Sequence, residues 1–372
     1  MASGRLGLLA LVCASGVVVA CAQGELASVP DALVIPWPDA RIQVSGLAWF
    51  SEDRPVLRRL PARLKDTFPP EVWGLAQNTS GGRIRFRTDS TRLHFRGGNP
   101  STSRMHHMTT VGQSGLDLYV DGEYRGSTWP DDRGRIECEG LLGNQRVLRE
   151  VTLYLPLYNG LHLDSFRLDP GSSLLPPAPF ALPKPVVFYG SSITQGGCTE
   201  NTGLSYEAIL GRSLNVDFVN LGFSGCGLGE PALAAAMAEI DAAAYVLDYW
   251  ANPSAEVFRA TLPGFVDFLR RKHPGTPILV VGPFWFPQEA ISEETRATQE
   301  SKRRIAREFV EARKREGDSA ISFVDGLEML SRRQASGLVD GVHPNSLGFE
   351  YCARGLEPHL RRALGIPSGK SP

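Results

Sequence analysis

Two short segments of this chain could do chemistry together. Phe188-Tyr-Gly-Ser-Ser-Ile-Thr-Gln-Gly196 sets Ser192 just beyond an apolar run, and Asp340-Gly-Val-His343 sets a carboxylate shortly before an imidazole. A serine hydroxyl is a poor nucleophile until a base takes its proton. An imidazole is a good base when a third group holds its ring and tautomer. The three side chains suit acyl transfer: Ser192 attacks an ester carbonyl, His343 accepts the proton, and Asp340 bonds the far ring nitrogen. The resulting oxyanion needs donors, and one donor is worth about 2.7–4 kcal/mol of barrier. The backbone N–H groups of Ser192 and Gly225 and the side-chain amide of Asn252 could serve. Glycine at 225 lets the backbone approach a substrate with no Cβ in the way. The G-x-S-x-G nucleophile elbow is not present, because Thr194 stands where its second glycine belongs.

These residues need a frame. From 186 onward apolar runs at 186–189, 216–221, 245–249, 278–281 and 321–324 alternate with helical stretches at 205–214, 231–240, 258–272, 293–315 and 347–364. Five apolar strands alternating with helices imply a parallel sheet covered on both faces. Ligands bind such sheets beyond the carboxyl ends of the strands. Ser192 follows the first strand, Gly225 the second and Asn252 the third, and Asp340 and His343 precede the last helix. All therefore fall at one edge of the sheet.

The first half has a different rhythm. Short alternating runs at 83–87, 92–95, 116–120 and 151–154 are separated by turn signals such as Asp121-Gly122 and Asn159-Gly160. They predict an antiparallel β-sandwich over 27–170, with the charged side of 83–87 facing out. A segment holding six prolines, 169–185, can continue neither a helix nor a central strand. It reads as a linker over 171–185, ahead of a catalytic domain over 186–366.

Formal net charge is −1, from 39 basic and 40 acidic residues, which argues against a nucleic-acid partner. Residues 1–22 have the pattern of a signal peptide, with an apolar stretch too short to span a bilayer. Cleavage at Ala20-Cys-Ala22 and a lipobox, Val18-Val-Ala-Cys21, compete. Either implies export, to the periplasm, the outer membrane or the medium, and the second implies a lipid anchor on Cys21. Four cysteines lie beyond the leader, and Cys198 and Cys226 could pair or stay as buried thiols. No Cys or His spacing matches a metal site: His106 and His107 are adjacent with no third ligand in register, and no cofactor is called for.

Gly190-Ser-Ser-Ile-Thr194 resembles the first block of the SGNH (GDSL-like) hydrolase family, with Ser191 where the block usually has aspartate. Gly225 and Asn252 match its second and third blocks, the third reading Trp250-Ala-Asn-Pro253 in place of G-x-N-D. Asp340-Gly-Val-His343 matches the last block. Gly115-Leu-Asp-Leu-Tyr119 is similar to the G-x-D-L-Y signature of a domain found ahead of such hydrolases, and Tyr154-Leu-Pro-Leu-Tyr-Asn-Gly160 also fits that two-domain subgroup. The resemblance implies a flavodoxin-like three-layer α/β/α domain behind a jelly-roll-like sandwich. It implies a mostly bacterial, exported serine esterase that removes acetyl groups from poly- or oligosaccharides. The alternatives are a lipase or thioesterase on longer acyl chains and a degenerate carbohydrate-binding protein. Asp117 and Tyr119 read as structural residues of the sandwich. His107 could reach the cleft, and Trp250 and Trp285 follow strand ends where they could stack on a sugar, although core packing explains them as well.

Overall fold

Every residue of the strand Val186–Gly190 is buried, as a strand covered on both faces must be. The computed structural model describes residues 31–367. The signal peptide expected over 1–22 and the lipid anchor expected as one reading at Cys21 lie outside the described residues.

Val186–Gly190, Phe218–Gly222, Ala244–Asp248, Ile278–Val281 and Ile321–Val324 form one parallel sheet. Counted along the chain, their spatial order is 2-1-3-4-5. That order is flavodoxin-like, and it places the topological switch beside the first strand. The register aligns Gly190 with both Gly222 and Asp248, so the loops after all three strands open at the same edge. Helices Tyr206–Leu214, Pro231–Met237, Ala255–Lys272, Glu293–Arg315 and Ser346–Leu364 connect the sheet. Glu293–Arg315 is written for its dipole: Ser292 caps the Thr295 amide, Glu293 and Glu294 fill the first turn, and Arg313, Lys314 and Arg315 the last. No helix among the described residues is long and apolar enough to cross a membrane.

The first half is built from antiparallel sheets. One runs Leu33–Pro36, His162–Leu168, Arg92–Gly98, Arg135–Leu141. The other runs Leu174–Leu175, Arg83–Thr88, Arg149–Tyr154, Leu116–Val120, Glu123–Thr128, with Gln43–Ser45 also paired to Arg83–Thr88. Between them Ile84, Phe86, Phe95, Val151 and Phe166 make a separate apolar core.

One expectation changes. Arg83-Ile-Arg-Phe-Arg87 is not half-exposed: Arg83 and Arg85 are 2% and 6% exposed. Their face is covered by other parts of the chain. Arg83 pairs with Asp217, donates to the Phe218 carbonyl at 3.1 Å and lies 3.7 Å from the Phe218 ring. Arg85 bonds the Ala178 carbonyl at 3.0 Å and sits over Phe180, while Arg87 bonds the Pro176 carbonyl at 2.8 Å. The proline-rich segment is thus tied to the sandwich, and it enters the sheet itself as Leu174–Leu175.

The G-x-D-L-Y segment is part of the joint between the halves. Asp117 is buried and accepts hydrogen bonds from the Gly203 amide at 2.8 Å, Ser127 Oγ at 2.5 Å and Asn201 Nδ2 at 3.3 Å. Burial raises its pKa, and these donors oppose the rise. The Arg212 guanidinium lies 4.5 Å from the Tyr119 ring and 5.2 Å from the Tyr154 ring.

Candidate active site

Beyond Gly190 the chain turns at once into a short helix, Ser192–Gln195, whose N-cap is Ser191. Ser191 Oγ accepts the Ile193 amide at 3.2 Å, so a hydroxyl caps this turn where the family block usually has a carboxylate. Ser192 is the first helical residue, and the leading N–H groups of a helix have no intrahelical acceptor. With the Ile193 amide taken by Ser191, it is the Ser192 amide that is left available to an oxyanion.

Ser192 Oγ lies 2.8 Å from His343 Nε2, and His343 Nδ1 lies 2.8 Å from Asp340 Oδ2. The carboxylate does more than face the ring. Its Oδ1 accepts the amides of His343 at 2.8 Å and Val342 at 3.0 Å, which fixes the D-x-x-H turn. Burial pushes the Asp340 pKa up, but the His343 amide, the His343 ring and the Val342 amide outweigh it and hold the pKa at about 2. Asp340 is therefore ionised across the neutral range and favours the imidazolium. The turn is anchored behind the site, where the Cys198 amide donates to the Pro344 carbonyl at 2.9 Å and the Ser346 amide to Glu200 at 2.7 Å.

The loop after Phe218–Gly222 supplies the other wall. Gly225 has φ +72°, in the left-handed region that favours glycine, and the space beside it is open. Gly227 packs so closely that a Cβ would stand 2.2 Å from the Gly190 carbonyl oxygen. Asn252 Nδ2 donates one hydrogen to the Phe223 carbonyl at 3.0 Å, leaving its second for another acceptor. Gln195 joins this loop to the serine turn: its Oε1 accepts the Ser224 amide at 3.0 Å, and its Nε2 donates to the Leu157 carbonyl at 3.2 Å. Ser192, His343 and Asp340 are directly bonded, and Gly225 and Asn252 lie on the loops around the serine turn.

The sandwich reaches into the same place. Tyr158 Oη donates to the Ser192 carbonyl at 3.0 Å, and burial pushes its pKa up. Ser80 Oγ donates to the Gln195 carbonyl at 2.7 Å, and Arg59, fully buried, bonds the Gly222 carbonyl. His107 is exposed on its loop, with its ring centre 5.7 Å from that of His343. Tyr158 and Gln195 carry no chemical signal of their own in the sequence, although both fall in segments that resemble the family.

Trp250 is not at the surface. It is 1% exposed, its indole N–H donates to Asp248 Oδ1 at 2.7 Å, and its ring packs edge-on against Phe284 at 5.0 Å. A ring enclosed on all sides cannot stack on a sugar, so this expectation is corrected. Asp248 also accepts Tyr206 Oη at 2.9 Å, and burial raises its pKa to about 7 against these bonds. Trp285 is partly exposed, with the Arg332 guanidinium 6.0 Å from its ring centre. Cys198, buried, and Cys226, half-buried, are not joined in a disulfide.

Comparisons with known proteins agree with this geometry. Residues 183–361 match the GDSL-like lipase/acylhydrolase family, and residues 35–167 match the GxDLY domain, the N-terminus of SGNH-hydrolase-type esterases. A crystal structure of a Bacteroides ovatus protein described as a GDSL-like lipase is 31% identical, with a TM-score of 0.80 over 90% of this chain and 99% of that one. The salicylyl-acyltransferase SsfX3 of a tetracycline biosynthetic pathway has 23% identity and a TM-score of 0.77, over 91% of this chain and 99% of that one. A family two carbohydrate esterase of Clostridium thermocellum, solved with cellohexaose, has 18% identity and a TM-score of 0.59, over 77% of this chain and 94% of that one. No curated protein matches the chain in sequence. With both halves matched and the Bacteroides ovatus protein aligned along nearly its whole length, the chain belongs to the GDSL-like, SGNH-type esterase family with a GxDLY domain in front.

Proposed function

We propose that this protein is a serine esterase that removes short acyl groups, acetyl above all, from carbohydrate. The observation that carries the reading is the unbroken pair of 2.8 Å contacts from Ser192 through His343 to Asp340 at the switch point of the sheet. Ser192 Oγ attacks the ester carbonyl while its proton passes to His343 Nε2. The Ser192 and Gly225 amides and Asn252 Nδ2 receive the oxyanion. Collapse expels the sugar hydroxyl, which takes the proton from His343, and leaves acetyl on Ser192. Water, deprotonated by His343, then releases acetate and restores the serine.

Carbohydrate is supported by a cavity of about 380 Å³ where Tyr124, Ser127 and Trp129 of the sandwich face Thr109, Glu200 and Asn201. Tyr124 and Trp129 are 50% and 45% exposed, which suits rings that stack on a sugar. Glu200 links this wall to the catalytic turn through the Ser346 amide. The cellohexaose complex of the structurally similar carbohydrate esterase points to the same chemistry. The leader pattern adds export, either by cleavage at Ala20-Cys-Ala22 or with Cys21 of the lipobox as a lipid attachment point.

Two assays test the reading. Wild-type protein should hydrolyse p-nitrophenyl acetate and release acetate from acetylated polysaccharides, and Ser192→Ala and His343→Ala should abolish both. A chain-length series should peak at acetyl; activity that rises beyond octanoyl would move the protein to the lipases. Replacing Tyr124 and Trp129 by Ala should raise KM for acetylated oligosaccharide several-fold and leave p-nitrophenyl acetate kinetics unchanged. Equal loss on both substrates would remove the cavity from sugar recognition.

A further inference from the structure

His107, Cys198 and His343 come from three separate loops, yet one ligand atom of each lies within 4.8 Å of the others. In sequence they show no metal-ligand spacing, and only the fold brings them together. We propose that these residues form a site for a borderline-soft divalent cation, Zn²⁺ being the best fit, and that occupation switches the esterase off. The off-switch rests on the assignment of His343 as the catalytic base; the site itself does not.

The donor set is right for zinc, which takes imidazole nitrogen at about 2.0–2.1 Å and thiolate sulfur at about 2.3 Å in tetrahedral sites. Such bond lengths put the donor atoms about 3.3–3.7 Å from one another. Closing from 4.8 Å requires a shift on the order of 1 Å. Cys198 and His343 are fixed to each other, because the Cys198 amide bonds the carbonyl of Pro344. His107 is the adjustable ligand: it is exposed, on a stretch outside regular strand and helix. Its ring already meets the His343 ring edge-on at 5.7 Å. Met108 and Leu157 pack on Cys198 and shelter its sulfur from bulk solvent.

Metal bound through His343 Nε2 leaves Nδ1 bonded to Asp340, the carboxylate–histidine–metal arrangement that orients many zinc ligands. Ser192 Oγ then loses its acceptor, since the lone pair that would take its proton is held by the metal. Cys198 gives its thiol proton to solvent as sulfur binds, and no electron changes hands. Three protein ligands leave a fourth position for water.

The test reads binding and inhibition separately. Co²⁺ added to the Ser192→Ala protein in chelator-free buffer should produce a thiolate-to-metal charge-transfer band in the near ultraviolet, saturating at one ion per chain. Cys198→Ala and Cys198→Ser, each with an unchanged melting temperature, should lack the band. Zn²⁺ should inhibit wild-type hydrolysis of p-nitrophenyl acetate reversibly, with recovery on adding EDTA. The inhibitory concentration should rise at least about tenfold in either Cys198 variant. His107→Ala should raise it too, whatever its basal rate. Absence of the Co²⁺ band in the Ser192→Ala protein, or Zn²⁺ sensitivity in both Cys198 variants equal to that of wild type, overturns the site. Failure of the esterase reading would leave the Co²⁺ result intact.

Discussion

Replacing Asn252 by Ala separates a catalytic donor from a structural one, because the proposed mechanism asks both of this side chain. One N–H already bonds the Phe223 carbonyl at 3.0 Å, and the other is the proposed oxyanion donor. The first bond is an ordinary neutral one, and its loss costs about 0.5–1.5 kcal/mol of stability. That loss should appear as a lower melting temperature. The second acts on the transition state, where one donor is worth about 2.7–4 kcal/mol, or roughly 10²–10³ in kcat. Ground-state ester gains little from it, so KM should change by less than about threefold. Initial rates on p-nitrophenyl acetate give both constants. Asn252→Asp keeps the shape, removes the donor and sets a negative charge beside the developing oxyanion, so it should be no more active than the alanine variant. A fall in kcat of less than about threefold for Asn252→Ala, with the melting temperature lowered, would refute the donor role and leave only the loop contact.

Two further predictions concern the frame. Tyr158→Phe removes one half-buried donor to the Ser192 carbonyl, which keeps the Gly197 amide at 2.9 Å, and should cost about 0.5–1.5 kcal/mol of stability by thermal or urea unfolding. Its kcat should fall more than its KM rises, and an unchanged kcat would show that the sandwich does not position the serine. Asp248, its pKa raised by burial to about 7 from 3.8, keeps a proton in the folded state that the unfolded chain has lost. Its contribution therefore makes stability fall as pH rises from the unfolded value through about 7. Urea midpoints between pH 5 and 8 should show that fall in wild type and a flatter profile in Asp248→Asn. Parallel profiles would mean that Asp248 does not titrate in this range.

The parts of the site that sequence exposes are those fixed by neighbours along the chain. Ser192 follows an apolar strand, and Asp340 reaches His343 within a single turn, so strand rhythm and a D-x-x-H spacing suffice to bring them to one edge. The parallel sheet is legible for the same reason, since strands buried on both faces read as continuous apolar runs. Residues whose environment comes from another part of the chain are not legible. The alternation at 83–87 reports a two-faced strand, but nothing local says that the linker and Asp217 cover the arginine face. Trp250 sits after a strand end like a cleft residue, yet its N–H is taken up by Asp248 two residues earlier and its ring by Phe284. Tyr158, Gln195 and the meeting of His107 with Cys198 depend on the joint between the halves, which neither half's pattern encodes alone.

The central claim is that Ser192 is the nucleophile and His343 its base. Intact-mass measurement after treatment with diethyl p-nitrophenyl phosphate tests it directly, because only an activated serine displaces the nitrophenolate. One diethylphosphoryl group per chain should appear on wild type, map to the peptide containing Ser192, and block esterase activity in proportion to its occupancy. Ser192→Ala and His343→Ala should stay unlabelled under the same conditions. A label on any other residue, or full labelling of Ser192 in the His343→Ala protein, would contradict the account.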